Sequence, residues 1–143
     1  MGAVVERYRK DHPKREVAVV GLRDMEGNVF LVRTHKLTEW WQPVGGGVDP
    51  EDTSPVDTAV REAQEELGIF IDPSSLTLIL VTPYDFGEGN VYFYEALVDR
   101  ESLVMKIDEV EVIDHKWFSP QESLKLKAFP ATVAFLQKVA QQK

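Results

Sequence analysis

Apolar residues along this chain fall into two rhythms. Val17-Ala18-Val19-Val20-Gly21-Leu22 is an apolar run of strand length, the pattern of a buried strand. Asn28-Val29-Phe30-Leu31-Val32-Arg33 follows across the turn-rich link Asp24 to Gly27 and reads as its hairpin partner. Leu76–Val81, Asn90–Val98 and Val110–Phe118 predict three further strands. The first two of these are joined through Tyr84-Asp85-Phe86-Gly87-Glu88-Gly89. In two places the rhythm lengthens to a helical one. Val56, Val60, Ala63 and Leu67 recur at helix spacing, and Val133, Phe135 and Leu136 sit in a C-terminal helix expected over 129–139. Strands interrupted by a few helices predict an α/β protein, a mixed sheet sandwiched between helices. With 143 residues and no repeat, low-complexity tract or long linker, one domain over 1–143 is expected.

The first helix is bounded by local chemistry at both ends. Ser54 is placed to cap it, Pro55 to open it and Asp57 to act as a short capping-box partner. Gly68 stands where a left-handed cap would close it, so the helix is expected over 55–67. Each residue turns a helix by about 100°. With Glu62 at zero, Glu66 lies near 40° and Glu65 near 300°, so three carboxylates share an arc of about 100°. Like charges at that spacing cost a few tenths of a kcal/mol per pair. A hard cation between them would remove the cost, and carboxylate oxygens are what Mg²⁺ prefers. The plain alternative is a solvated acidic face. Just upstream, Pro43-Val44-Gly45-Gly46-Gly47 offers a turn whose bare backbone can approach a ligand or metal closely.

From Gly47 onward the chain resembles the Nudix hydrolases, whose signature is G-x5-E-x7-R-E-U-x-E-E-x-G-U with U a bulky aliphatic residue. Gly47, Arg61, Glu62, Glu65, Glu66, Gly68 and Ile69 match at the right spacing, and Trp41-Gln42-Pro43 looks like the usual lead-in. Two positions depart from the pattern. Ala63 is smaller than the usual aliphatic residue, and Thr53 stands in place of the first glutamate. In the family that glutamate supports the motif arginine and its loop; the loop here looks one residue longer, so Glu51 or Asp52 is the candidate to replace it.

The resemblance implies an α/β/α sandwich with a mixed central sheet and a hydrolase that cuts a nucleotide pyrophosphate. Divalent ions, Mg²⁺ with Mn²⁺ as the alternative, would be held by Glu62, Glu65 and Glu66 and by a carbonyl of the glycine turn, taken as Gly46. They would neutralise phosphate charge and activate water. Arg61, four residues before Glu65, reads as an orienting ion pair rather than a substrate clamp. The family often draws its proton acceptor from a glutamate six residues before a tryptophan at the end of a late strand. Counting from Trp117 gives Glu111, with Glu109 as the rival and Asp85 or Glu88 as loop alternatives. Two substrate hints oppose each other. A proline some fifteen residues past the motif goes with ADP-ribose and a slightly later tyrosine with dinucleoside polyphosphates, and here Pro83 and Tyr84 are adjacent. Trp41, Tyr84 and Phe86 are candidates to stack a base, and Arg23, Arg33, His35 and Lys36 to face phosphate. From these, Arg33, Trp41 and Tyr84 are taken as the substrate-binding set.

Composition narrows the partners. The net charge of −8 argues against duplex nucleic acid. It is uneven: residues 1–40 hold eight Lys/Arg against six Asp/Glu, and residues 41–143 hold eight against eighteen. A phosphate substrate would therefore be drawn in by bound cations and local basic groups, not by the overall field. The 43% apolar and 28% charged content is that of an ordinary globular domain. No apolar run approaches the ~18 residues of a membrane helix, and the polar start is not that of a signal peptide. The absence of cysteine excludes disulfides and thiolate metal sites and fits a cytoplasmic location. Homodimerisation is compatible with the sequence but not specified by it. The reading from a different class is a nucleotide-sensing module that keeps the fold without turnover; the departure at Thr53 is what supports it.

Overall fold

Residues 2–142 are described by a computed structural model of the chain. A helix, α1 (Gly2–Asp11), precedes strands β1 (Val17–Arg23), β2 (Val29–Thr34) and β3 (Val44–Gly47). The helix α2 (Pro55–Leu67) follows, then β4 (Thr77–Pro83), β5 (Asn90–Leu97), β6 (Val112–Phe118), the short α3 (Pro120–Ser123) and α4 (Pro130–Gln141). The six strands form one mixed sheet: five follow the order β4-β5-β1-β2-β6, and β3 pairs with β1 off that path. β1 and β5 run parallel over seven residue pairs, while the other pairings are antiparallel.

β1 serves two partners along one edge. Its first half, Val17–Val20, pairs with β3, and its end, Leu22 and Arg23, pairs with β2. The glycine-rich segment expected as a turn is therefore a strand. Its three glycines offer no side-chain signal, and only the partner β1 makes it extended.

Alternation along β1 builds a core on each face. Ala18, Val20 and Leu22 pack with Ala59, Ala63 and Leu67 of α2. Val19 lies on the opposite face with Phe135, Leu136 and Val139 of α4, and Val5 of α1 joins this side. Phe135 stacks on Phe93 at 5.0 Å between centroids. Val133, expected in the packed stripe of the last helix, is instead 36% exposed.

The ends of α2 form as the local sequence predicts. The Ser54 side chain accepts from the Asp57 amide, Pro55 opens the helix, and Gly68 closes it at φ 67°. Asp57 reaches back to the Thr53 amide, 3.1 Å, and not to Ser54. β6 starts at Val112 rather than Val110, because β2 ends at Thr34, whose partner is Val112, and the Val112 amide closes a turn on the Asp108 carbonyl. Among the described residues, no helix is long and apolar enough to cross a membrane.

Candidate active site

Arg61 organises the loop that leads into α2. Its Nε and Nη2 donate to the two oxygens of Asp52 at 3.2 and 3.0 Å, the fork geometry that favours arginine. Nη2 also reaches the Gly47 carbonyl at 3.3 Å, and Nη1 reaches the Glu65 carboxylate at 3.0 Å. One guanidinium thus ties the glycine strand, the loop and the helix together. Thr58 Oγ1 adds a third donor to Asp52 at 2.7 Å. Thr53 turns away and bonds Asp57, and Glu51 is exposed. Of the two acids considered as replacements for the missing glutamate, Asp52 is the one that meets the arginine.

The hydrogen bonds from Arg61 hold the Asp52 carboxyl well below its ordinary 3.8. A depressed carboxylate contributes stability that is fully present above its unfolded pKa and is lost as pH falls below it. Asp52→Asn should cost about 2 kcal/mol at pH 7, as loss of hydrogen bonds to a charged group does. The gap in melting temperature to wild type should shrink below pH 3.8. Glu51→Gln should be silent, and Thr53→Glu should alter turnover only slightly because support for Arg61 already exists. A stable, fully active Asp52→Asn would show that Arg61 is held by other groups.

The two ends of the acidic arc part company. α2 lies against β3, where no side chain intervenes, so Glu66 is covered and only 4% exposed. Its Oε2 has no hydrogen-bond partner among the described residues. The Glu62 carboxylate rests on Gly46: a Cβ added there would stand 2.5 Å from Glu62 Oε1, so only glycine allows the approach. Burial raises the proton affinity of both carboxyls, and at Glu66 the neighbouring Glu62 raises it further. The side chain of Glu65 is half exposed and engaged by Arg61. Among the described residues, no three His, Cys, Asp or Glu side chains stand together as a ready metal cage. The convergent pair is Glu62 and Glu66, with Glu65 at the rim of the same cleft.

The segment after β5 brings one more acid to this cleft. The amides of Lys106 and Asp108 donate to the carbonyls of Leu67 and Glu66, satisfying the last turn of α2. That contact positions Glu111, which lines the cleft and adds to the negative field at Glu66. Its carboxylate stands 3.5 Å from His35 Nδ1. Glu109 does not line the cleft; it lines an outer groove with Gln64 and Lys106 that adjoins the cleft at Glu65 and Asp108. Both acids precede β6, so strand alternation does not put them on one face. Asp85 accepts from the Ala131 amide at the start of α4, and Glu88 pairs with Lys14 at 3.7 Å. Of the four acids weighed as proton acceptors, Glu111 is the one the fold brings to the carboxylate pair.

The expected substrate-binding set lies elsewhere. Arg33 donates to Asp114 at 2.7 Å and to the Thr38 carbonyl, and its guanidinium lies over the Trp41 ring. Trp41 in turn meets Phe118 edge-on. Tyr84 is 6% exposed, covered by Phe86, and donates its hydroxyl to the His12 carbonyl at 2.8 Å. A base cannot reach a ring so covered, which removes the contact behind the tyrosine hint. Arg23 is likewise occupied, by Glu95 and the Gly27 carbonyl. Tyr8, Arg15 and Lys36 line the same cleft as the glutamates, a space of about 550 Å³. Arg15, whose guanidinium lies over Gly47, and Tyr8 carry no periodic or motif signal in the sequence.

Comparison with known proteins bears on this arrangement. A family model described as the NUDIX domain matches residues 12–139. No curated protein matches the chain. Among solved structures, the MutT protein from Methanosarcina mazei Go1 is similar at 21% identity and a TM-score of 0.71, covering 89% of this chain and 93% of that one. The NUDIX domain of Shewanella oneidensis NrtR complexed with ADP ribose has 18% identity, coverage of 87% and 85%, and a TM-score of 0.71. A C. elegans Ap4A hydrolase has 18% identity, coverage of 86% and 94%, and a TM-score of 0.66. At these identities the likeness is one of fold.

Proposed function

The chain belongs to the Nudix family, and from that premise we propose that it is a metal-dependent hydrolase of a nucleoside diphosphate linked to a second group. Water attacks phosphorus and the pyrophosphate is cut. The observation that carries this is the Glu62–Glu66 pair, in which a buried carboxylate oxygen without a donor sits beside a second carboxylate in an open cleft. Two such groups repel unless a proton or a cation stands between them. Oxygen donors of this kind suit Mg²⁺, with Mn²⁺ as the alternative. Glu62 and Glu66 would hold it, joined by Glu65 at the cleft rim and the carbonyl of Gly46. When bound, the cation supplies neutralisation of phosphate charge and a lowered pKa for water.

The remaining work falls to side chains of the protein. Glu111 takes the proton from the attacking water as the new O–P bond forms. The bridging P–O bond breaks, and its electron pair leaves with the departing phosphate. Arg61 orients Glu65 and the glycine strand through its hydrogen bonds. Arg15 and Lys36 line the same cleft as the acids and offset the charge of the diphosphate. The ligands named for similar proteins, ADP ribose and Ap4A, each carry a nucleotide phosphoanhydride joined to a second group, which supports this substrate class.

The alternative of a binding module without turnover rested on Thr53. With Asp52 on Arg61, that departure no longer favours it. A hydrolysis screen with Mg²⁺ and with Mn²⁺ tests the proposal over nucleoside triphosphates, ADP-ribose, nucleotide sugars and dinucleoside polyphosphates. Product release that a chelator abolishes is expected for at least one class. No release from any, while a nucleotide still raises the melting temperature, would make the binding module the better reading.

A further inference from the structure

In an acidic chain most arginines find a carboxylate. Arg9, Arg23, Arg33, Arg61 and Arg100 each do, within 3.5 Å. Among the described residues the two arginines without such a partner are Arg7 and Arg15, and both border one end of the molecule. Arg15 lines the cleft described above. Arg7 lines a second groove of about 290 Å³ between α1 and the turn after β2, together with Val4, His12 and His35.

The groove adjoins the cleft, since Tyr8 and Lys36 line both. Tyr8 is fixed there: Arg15 Nη1 donates to its hydroxyl at 3.1 Å, and its ring packs on His12 and Phe86 at 4.7 Å. The groove has one carboxylate of its own, Asp11, and Glu111 stands across from His35. Against these stand the charges of Arg7 and Lys36, and the two imidazoles add N–H donors. The charges of Arg15 and Lys36 both reach His12, so the basic groups share one field. All of α1 precedes the stretch matched by the family model, while His12, His35 and Lys36 lie within it.

We propose that the groove between α1 and the His35–Lys36 turn is a second anion subsite, which holds further phosphate on the far arm of the substrate. The inference rests on the hydrolase reading above and makes it narrower. The favoured substrates are nucleotide pyrophosphates whose second arm carries additional phosphate, in preference to those ending in a neutral sugar. Val4 and the Tyr8 ring give that arm an apolar floor, while Arg7, Lys36 and the imidazoles supply donors to its phosphate oxygens.

Arg7→Gln combined with His12→Gln tests this, because neither residue lines the catalytic cleft and Arg7 is exposed. For a dinucleoside tetraphosphate, kcat/KM should fall by about tenfold or more, the scale of losing hydrogen bonds to a charged group. For a nucleoside diphosphate sugar with the same base it should stay within about twofold, since that substrate places no phosphate in the groove. Equal losses on both substrates, or none on either, would overturn the proposal. The hydrolase reading is judged separately, by the full substrate screen; should wild type cleave neither substrate here, calorimetry with inorganic tripolyphosphate in chelator decides the subsite. Binding by wild type that the double variant loses supports it; no binding, or equal binding, refutes it.

Discussion

Glu66→Gln is expected to abolish most activity while leaving the fold intact. Removing groups that merely orient the ligands of a metal costs about 10- to 100-fold, so loss of a direct charged ligand should cost at least about a hundredfold. Glutamine keeps the size and one carbonyl acceptor but not the charge that a divalent cation needs. Half-saturating Mg²⁺ for the residual activity should rise. Equal turnover and equal half-saturating metal in the two proteins would sink the assignment.

Stability gives the same variant an independent readout. Burial pushes the Glu66 carboxyl above its ordinary 4.5, so in metal-free protein the native state keeps a proton that the unfolded chain releases. Stability then falls as pH rises from 4.5 toward the raised value. In chelator, Glu66→Gln should melt higher than wild type at pH 8 and near it at pH 4. Adding Mg²⁺ should raise the melting temperature of wild type and barely move the variant. Parallel pH dependence in the two proteins would mean that Glu66 is hydrated.

Glu111→Gln should lower turnover about ten- to a thousandfold, as removal of a proton acceptor does, with Glu109→Gln within a few-fold of wild type. The contrast follows from where the two side chains lie. Glu111 faces the carboxylate pair, and Glu109 faces an outer groove beside Gln64. Damage from Glu109→Gln instead would place the acceptor on the outer face. Silence from both would move it away from this segment.

Local chemistry determined the parts of this protein that can be read without its fold. Ser54, Pro55 and Gly68 set both ends of α2 because caps act within a turn of the residues they close. The strands followed from apolar runs, and the spacing from Gly47 to Ile69 identified the acidic helix face before any contact was known. Contacts between distant segments decided the rest. Helical periodicity puts Glu65 and Glu66 on neighbouring faces, and only the packing of α2 on the bare glycines of β3 buries one and leaves the other to Arg61. β3 is a strand because β1 pairs with it, and Glu111 enters the cleft because Lys106 and Asp108 satisfy the end of α2. The same long-range pairing takes Arg33 to Asp114 and Tyr84 to His12, and leaves Tyr8, Arg15 and Lys36 to line the cleft with the glutamates. Periodicity and spacing report which face a residue occupies on its own element. What stands opposite that face depends on the partner, which only the assembled sheet and its helices supply.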